Sequence, residues 1–169
     1  MLDKIFDPKT VAVIGASNRE GTVGYALIKN LIGSGFKGTV YPINYKNKSI
    51  YGVRSYASLK DTRDNIDLAV ISTPAETVPE IIKECGEYGV GGVVVISAGF
   101  LEAGDKGKGM GENLREMAKK YNMRIIGPNC LGFIKPSIKL NVSFANKMAK
   151  PGKIAFISQS GALCTAILD

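Results

Sequence analysis

The hydrophobic positions of this chain fall into short uncharged runs separated by stretches with helical periodicity. Thr10 to Ile14 (T-V-A-V-I), Asp67 to Ser72 (D-L-A-V-I-S) and Val93 to Ile96 (V-V-V-I) are, beyond the leading Asp67, small, β-branched or apolar and uncharged, which predicts strands buried on both faces. Gly38 to Ile43 and Arg124 to Ile126 read as two further strands, and Pro42 predicts that the far end of the former leaves the sheet. Between the runs, Val23, Ala26, Leu27 and Leu31 share one helical face, with a start near Thr22 and a stop at Gly33-Ser34-Gly35. Val78, Ile81, Ile82 and Cys85 form a second face, with Pro79 in the first turn where it is tolerated. Leu114, Met117, Ala118 and Tyr121 form a third. The five glycines from Gly99 to Gly111 predict a mobile surface loop ahead of that helix. Between the second and third strands, Tyr51-Gly52 reads as a link and Ser58-Leu59-Lys60 as a brief helical turn. Strand and helix alternating at this rhythm predict a two-layered α/β domain of the Rossmann type, with a doubly wound parallel sheet. Ligands of such sheets bind beyond the carboxyl ends of the strands.

The rhythm is lost after Cys130. Residues 133–150 show no helical period, and Lys150-Pro151-Gly152 reads as a linker. Lys153 to Ile157 then predicts one more strand, and Ala162, Leu163, Ala166 and Ile167 the start of a helix. A lone strand and half a helix cannot bury a core. The division expected is therefore a domain over residues 1–146, then a linker and the first strand–helix of a truncated second domain over 147–169. The alternative is that the last strand docks on the first sheet as an extra edge.

Composition narrows the chemistry. No apolar run approaches the ~20 residues of a membrane helix, and the opening Met1-Leu2-Asp3-Lys4-Ile5-Phe6-Asp7-Pro8 has no apolar core of a signal peptide. Cys85, Cys130 and Cys164 are widely spaced, which predicts free thiols in a reducing cytoplasm and no metal site. The sequence holds no histidine, so it carries no imidazole base, ligand or phosphohistidine. A net charge of +7 favours anionic partners. The basic residues are nevertheless scattered, with no aromatic-interleaved stripe for nucleic acid.

The sharpest local signal is the turn after the first strand, Gly15-Ala16-Ser17-Asn18-Arg19-Glu20-Gly21-Thr22-Val23-Gly24. A strand, a glycine-rich turn and a helix start place free amides and the positive helix end around one point, which suits a phosphate. A plain βα turn without ligand is the competing reading. The turn departs from the dinucleotide fingerprint G-x-G-x-x-G, with Ser17 where the second glycine belongs. After the second strand the expected acidic residue is absent, and Asn44 and Lys46 stand there instead. A lysine there suits a phosphorylated ribose, as in coenzyme A (CoA) or NADP; a solvated loop charge is the simpler alternative.

Six motifs in order (V-I-G-A-S-N-R-E-G-T-V-G, Y-P-I-N-Y-K, I-S-T-P-A, I-S-A-G-F, I-I-G-P-N-C-L-G and I-S-Q-S-G-A-L) together resemble the CoA-binding part of the NDP-forming acyl-CoA synthetases. That family includes the α subunits of ADP-forming acetate–CoA ligase and succinyl-CoA synthetase. The resemblance runs from about Pro8 to Asp169 and is closer to the acetate–CoA ligase type. It implies that Gly15, Ala16, Ser17, Asn18, Arg19, Gly21, Val23 and Gly24, with Pro42, Asn44 and Lys46, hold the phosphorylated adenosine of CoA. Ser72, Thr73 and Pro74 with Ser97, Ala98 and Gly99 would line the pantetheine arm, and Asn129 and Cys130 would lie near the thiol. Cys130 reads equally well as a small buried residue. Ser158, Gln159, Ser160 and Gly161 match a helix start that, in the family, faces a phosphohistidine; a simple capped helix is the alternative.

The implied reaction is acyl-CoA plus phosphate plus ADP giving carboxylate, CoA and ATP. The phosphohistidine, and the partner domain or chain that binds ADP/ATP and Mg, lie outside this sequence, so the chain alone is expected to bind CoA without turnover. The resemblance also implies a flavodoxin-like second domain. A stand-alone regulatory CoA-binding module and, more weakly, an NADP-dependent oxidoreductase domain remain as the other functional readings.

Overall fold

The computed structural model describes residues 2–168, with the backbone alone at Asp105 and Lys106. Met1 and Asp169, the end residues of the stretches read as lacking a signal peptide and as opening a second domain, lie outside the described residues. In chain order the elements are α1 (Leu2–Phe6), β1 (Thr10–Ile14), α2 (Val23–Gly33), β2 (Thr39–Ile43), β3 (Ser49–Ile50), β4 (Val53–Arg54), β5 (Leu68–Ile71), α3 (Val78–Tyr88), β6 (Gly92–Val95), α4 (Asp105–Lys120), β7 (Arg124–Ile126), β8 (Gly132–Lys135), β9 (Leu140–Ser143) and α5 (Gly161–Leu168). The five apolar runs form one parallel sheet in the order β2-β1-β5-β6-β7. The chain turns outward from β1 to β2 and then crosses back to β5, so strand order reverses beside β1. That crossing defines the crevice at which doubly wound sheets take ligands.

Both faces of the sheet are covered, which makes three layers where two were expected. On one face Ala12, Ile14, Ala69, Ile71, Val93 and Val95 pack against Val78, Ile82 and Cys85 of α3 and Leu114 of α4. Val11, Val13, Val70 and Val94 turn to the other face and meet Leu27, Ile28 and Leu31 of α2, with Ile5 of α1. Strand side chains alternate between faces, and a run apolar at every position can only be satisfied by cover on both sides. Burial in the first cluster pushes the Cys85 thiol up to about 12, because a thiolate there would lack solvation.

Further expectations need correction. Pro42 stays in the sheet, in register with Val13. Its carbonyl points outward and accepts from the Tyr56 amide at 3.0 Å, so the missing N–H falls on the edge side and no pairing to β1 is lost. The segment from Gly99 to Gly111 is no continuous loop, since α4 begins at Asp105. Gly107 sits where a β-carbon would lie 1.7 Å from the Phe100 carbonyl oxygen, so this glycine serves a close backbone approach, whereas β-carbons on Gly104, Gly109 and Gly111 would meet nothing within 4 Å.

Residues 133–150 hold the β8–β9 hairpin, whose Leu140 and Val142 complete the second core cluster. It is fastened to α2 by Asn30, whose Nδ2 donates to the Ser143 and Ala145 carbonyls at 2.7 and 2.9 Å. Lys153 to Ile157 is not a strand; Ile154 is 95% and Ile157 94% exposed. A strand exists only through its partners, and among the described residues none pairs with this one. A short hairpin, β3–β4, also stands where a link was expected, turning through Tyr51 and Gly52, both at positive φ.

Candidate functional site

Five polar turns gather at the carboxyl edge of the sheet because all five strands run the same way. They are the turn after β1, Asn44 to Lys48 after β2, Ser72 to Pro74 after β5, Ser97 to Gly99 after β6 and Gly127 to Cys130 after β7.

The first of these is built by two glycines. Gly15 leaves β1 at φ +90°, and a β-carbon on it would meet Ser72 and Thr73. Gly24, in the first turn of α2, lies so close that a β-carbon would stand 2.0 Å from the Gly15 carbonyl oxygen. The start of α2 is thereby pressed against the end of β1. Thr22 caps the helix, accepting from the Tyr25 amide at 3.3 Å, and Ala26 donates to the Thr22 carbonyl. The amides of Val23 and Gly24 lie ahead of that first intrahelical bond, at the end that attracts anions. The first and third glycines of a dinucleotide turn are thus reproduced, and Ser17 occupies the middle with its Oγ accepting from the Arg19 amide at 3.0 Å.

The neighbouring turns are tied to this one by side chains. Asn44 donates from Nδ2 to the Ala16 carbonyl at 2.9 Å, while its Oδ1 accepts from the amides of Lys46 and Asn47 at 2.8 and 3.1 Å. Asn18 donates to the Ser49 carbonyl and accepts from the Tyr51 amide, each at 2.9 Å. Its amide group therefore imitates a strand edge and clamps the β3–β4 hairpin to the turn. Tyr51 in turn meets Tyr25 edge to face, with ring centres 5.8 Å apart. Lys46 is exposed, its Nζ 5.4 Å from the ring centre of Tyr45.

On the other side of the crevice, Ser72 Oγ donates to the Ile14 carbonyl at 3.3 Å, and Ser97 Oγ donates to the Thr73 carbonyl at 2.6 Å. The Asn129 amide donates to the Ser97 carbonyl at 3.0 Å, so the exits of β1, β5, β6 and β7 are stitched in sequence. Cys130 points its thiol at the Val95 carbonyl, 3.3 Å away, and burial pushes that thiol above its ordinary value. A protonated thiol that donates inward is a poor nucleophile. Glu102, absent from the expected set, accepts from the Gly99 amide at 2.6 Å. That bond holds its carboxyl below the usual range. Its signal was the loop spacing Gly99-Phe100-Leu101-Glu102, which no helical or strand period marks.

Val23, Ser72, Thr73, Pro74, Ser97, Ala98, Asn129 and Cys130 line one open cleft, together with Ser158, Gln159 and Gly161 from the tail. The cleft measures about 2760 Å³, well beyond the ~300–1,000 Å³ of a small-molecule site, because the exposed tail forms much of its far wall. Gly15, Ser17, Asn18, Asn44 and Lys46 stand outside that lining, on the β2 side of the crevice. At the tail, Ser160 Oγ accepts from the Leu163 amide at 3.2 Å and so caps α5, and Ser158 Oγ accepts from the Ser160 amide at 3.0 Å. No helix among the described residues is long and apolar enough to cross a membrane.

Residues 9–136 match the family described as CoA binding domain. The chain is 51% identical over 162 residues to an ADP-forming acetate–CoA ligase of Methanocaldococcus jannaschii, covering 96% of this chain and 22% of that protein. It is 46% identical to the α subunit of ADP-forming acetate–CoA ligase I of Pyrococcus furiosus, covering 99% of this chain and 37% of the relative. A crystal structure from Pyrococcus horikoshii superposes with a TM-score of 0.95 at 50% identity, over 99% of this chain and 38% of the other. The chain thus spans between about a fifth and two fifths of each of these proteins.

Proposed function

The chain belongs to the CoA binding domain family, and on that premise we propose that it is the CoA-binding portion of an ADP-forming acid–CoA ligase. The observation that carries this is that all five carboxyl-end turns lie along one edge of the sheet, on either side of the strand-order reversal beside β1, with the start of α2 at the same edge. The phosphorylated adenosine lies along the turn from Gly15 to Gly24, which offers backbone amides, and beside Asn44 and Lys46. The pantetheine arm crosses Ser72 to Pro74 and Ser97 to Gly99, and the thiol reaches the turn holding Asn129 and Cys130. Because the Cys130 thiol donates to a backbone carbonyl, it shapes the wall and takes no covalent part.

The reaction of the whole protein is acyl-CoA plus phosphate plus ADP giving carboxylate, CoA and ATP. This sequence contains no histidine, so the phosphohistidine belongs to another domain or to a partner chain, to which this reading also assigns the ADP/ATP and Mg site. The turn from Ser158 to Gly161 faces that phosphoryl group, with the second domain beginning after residue 146. ADP-forming acetate–CoA ligase relatives support the reaction class, and the start of α5 supports the phosphoryl contact through its free amides.

Lys46 supplies the test. A charged hydrogen bond to phosphate contributes about 1.5–3 kcal/mol, so Lys46→Ala weakens CoA about tenfold or more. Dephospho-CoA, without the ribose phosphate, is hardly affected. Calorimetric titration of both ligands decides, and equal losses remove Lys46 from the ribose phosphate.

A further inference from the structure

We propose that Tyr45 is the platform on which the adenine base of CoA stacks, an assignment that rests on the CoA-binding reading above. Tyr45 is 78% exposed at the carboxyl end of β2, one residue beyond Asn44. An aromatic ring in water at a site edge is available for a flat partner. Its position is fixed from below: Asn44 holds the amides of Lys46 and Asn47 through one side-chain atom and the Ala16 carbonyl through the other. The loop that presents the ring is therefore anchored to the turn after β1, which the functional reading gives to the phosphorylated part of the same ligand.

One face of the ring is already engaged. Lys46 Nζ lies 5.4 Å from its centre, a cation–π distance. A purine laid on the opposite face leaves that ammonium in place, within one residue of the base it accompanies. Consecutive residues then grip the two halves of one 3′-phosphoadenosine, Tyr45 the base and Lys46 the phosphate. Bases stack on aromatic side chains through π-faces that every base possesses. The platform therefore selects for a nucleoside and not for a particular hydrogen-bonding edge.

The experiment compares the 169-residue chain with Tyr45→Ala and Tyr45→Phe by calorimetry, using CoA, adenosine 3′,5′-bisphosphate and 4′-phosphopantetheine. Tyr45→Ala is expected to weaken CoA and the bisphosphate about tenfold and to leave phosphopantetheine unchanged, while Tyr45→Phe binds all three as the parent does. Parent-like CoA binding by Tyr45→Ala overturns the platform, as does an equal loss for phosphopantetheine, which would mark a general disturbance of the fold. A parent chain that ignores CoA altogether overturns the functional reading and this assignment with it.

Discussion

The contact between Gly24 and the Gly15 carbonyl gives a prediction that can be worked from distances. In Gly24→Ala the new methyl stands 2.0 Å from that oxygen, with the Gly15 carbonyl carbon at 3.0 Å and the Ala16 α-carbon at 3.3 Å. All three are backbone atoms, so no rotamer relieves the clash. Restoring a carbon–oxygen separation of about 3.3 Å moves the start of α2 outward by about 1.3 Å. A gap of that size forfeits much of the dispersion contact along the helix, where Leu27, Ile28 and Leu31 are fully buried against β1. The gross cost lies at the upper end of the ~1–3 kcal/mol of overpacking, and alanine returns up to about 1 kcal/mol of helix propensity. The net loss is about 2 kcal/mol, or a Tm lower by about 4–8 °C for a chain of this length.

Gly33 is the matched control at the other end of the same helix, where a β-carbon meets nothing within 4 Å. Gly33→Ala is expected to stabilise by up to about 1 kcal/mol. Urea unfolding of both variants, with CoA titrations of each, provides the assay: Gly24→Ala loses stability and affinity, and Gly33→Ala loses neither. A Gly24→Ala protein as stable as the parent would falsify the claim that backbone contact sets the helix position.

Other outcomes follow from single contacts. Asn18→Ala breaks both bonds to the β3–β4 hairpin and costs about 1 kcal/mol, whereas Asn18→Asp keeps the acceptor for the Tyr51 amide. Hydrogen exchange at Tyr51 should therefore speed up in the alanine variant and stay protected in the aspartate variant, and matching rates would refute the clamp. Tyr41 donates to Asp64, and that bond lifts its phenol to about 12 from an ordinary 10. A raised phenol stabilises the fold below pH 10, where both states are protonated, and the stability is lost as pH climbs from 10 towards 12. Tyr41→Phe should flatten that alkaline decline in pH-dependent denaturation while costing about 1 kcal/mol at neutral pH; an unchanged slope would place the titration elsewhere.

Much of the backbone frame of the candidate site was legible because its signals are local. The turn after β1 needs positive φ at Gly15 and space at Gly24, and both demands write glycine into the sequence at readable positions. The exits of β5, β6 and β7 were legible as small polar residues directly after apolar runs. The placing of Asn18 and Glu102 was not. Asn18 reads as a ligand contact in a polar turn, and only the folded chain shows Ser49 and Tyr51, more than thirty residues away, taking both ends of its amide. The glycines of α4 misled because an interior glycine reads as a loop, while Gly107 is required by the Phe100 backbone against which the helix lies.

The sequence by itself determined the three inner strands of the sheet, β1, β5 and β6, since short uncharged runs of apolar, largely β-branched residues are satisfied as extended segments buried on two faces. It likewise determined where α2 and α3 begin, through Thr22 and through Pro79 in a first turn. Tertiary structure alone decided that Pro42 stays in register with Val13, that β8 and β9 pair over α2, and that the apolar residues from Ile154 to Ile157 pair with nothing among the described residues. The physical reason is the range of the forces involved. Propensity and capping act within a turn or two of chain, whereas a hydrogen-bond ladder depends on a partner that the local sequence does not contain.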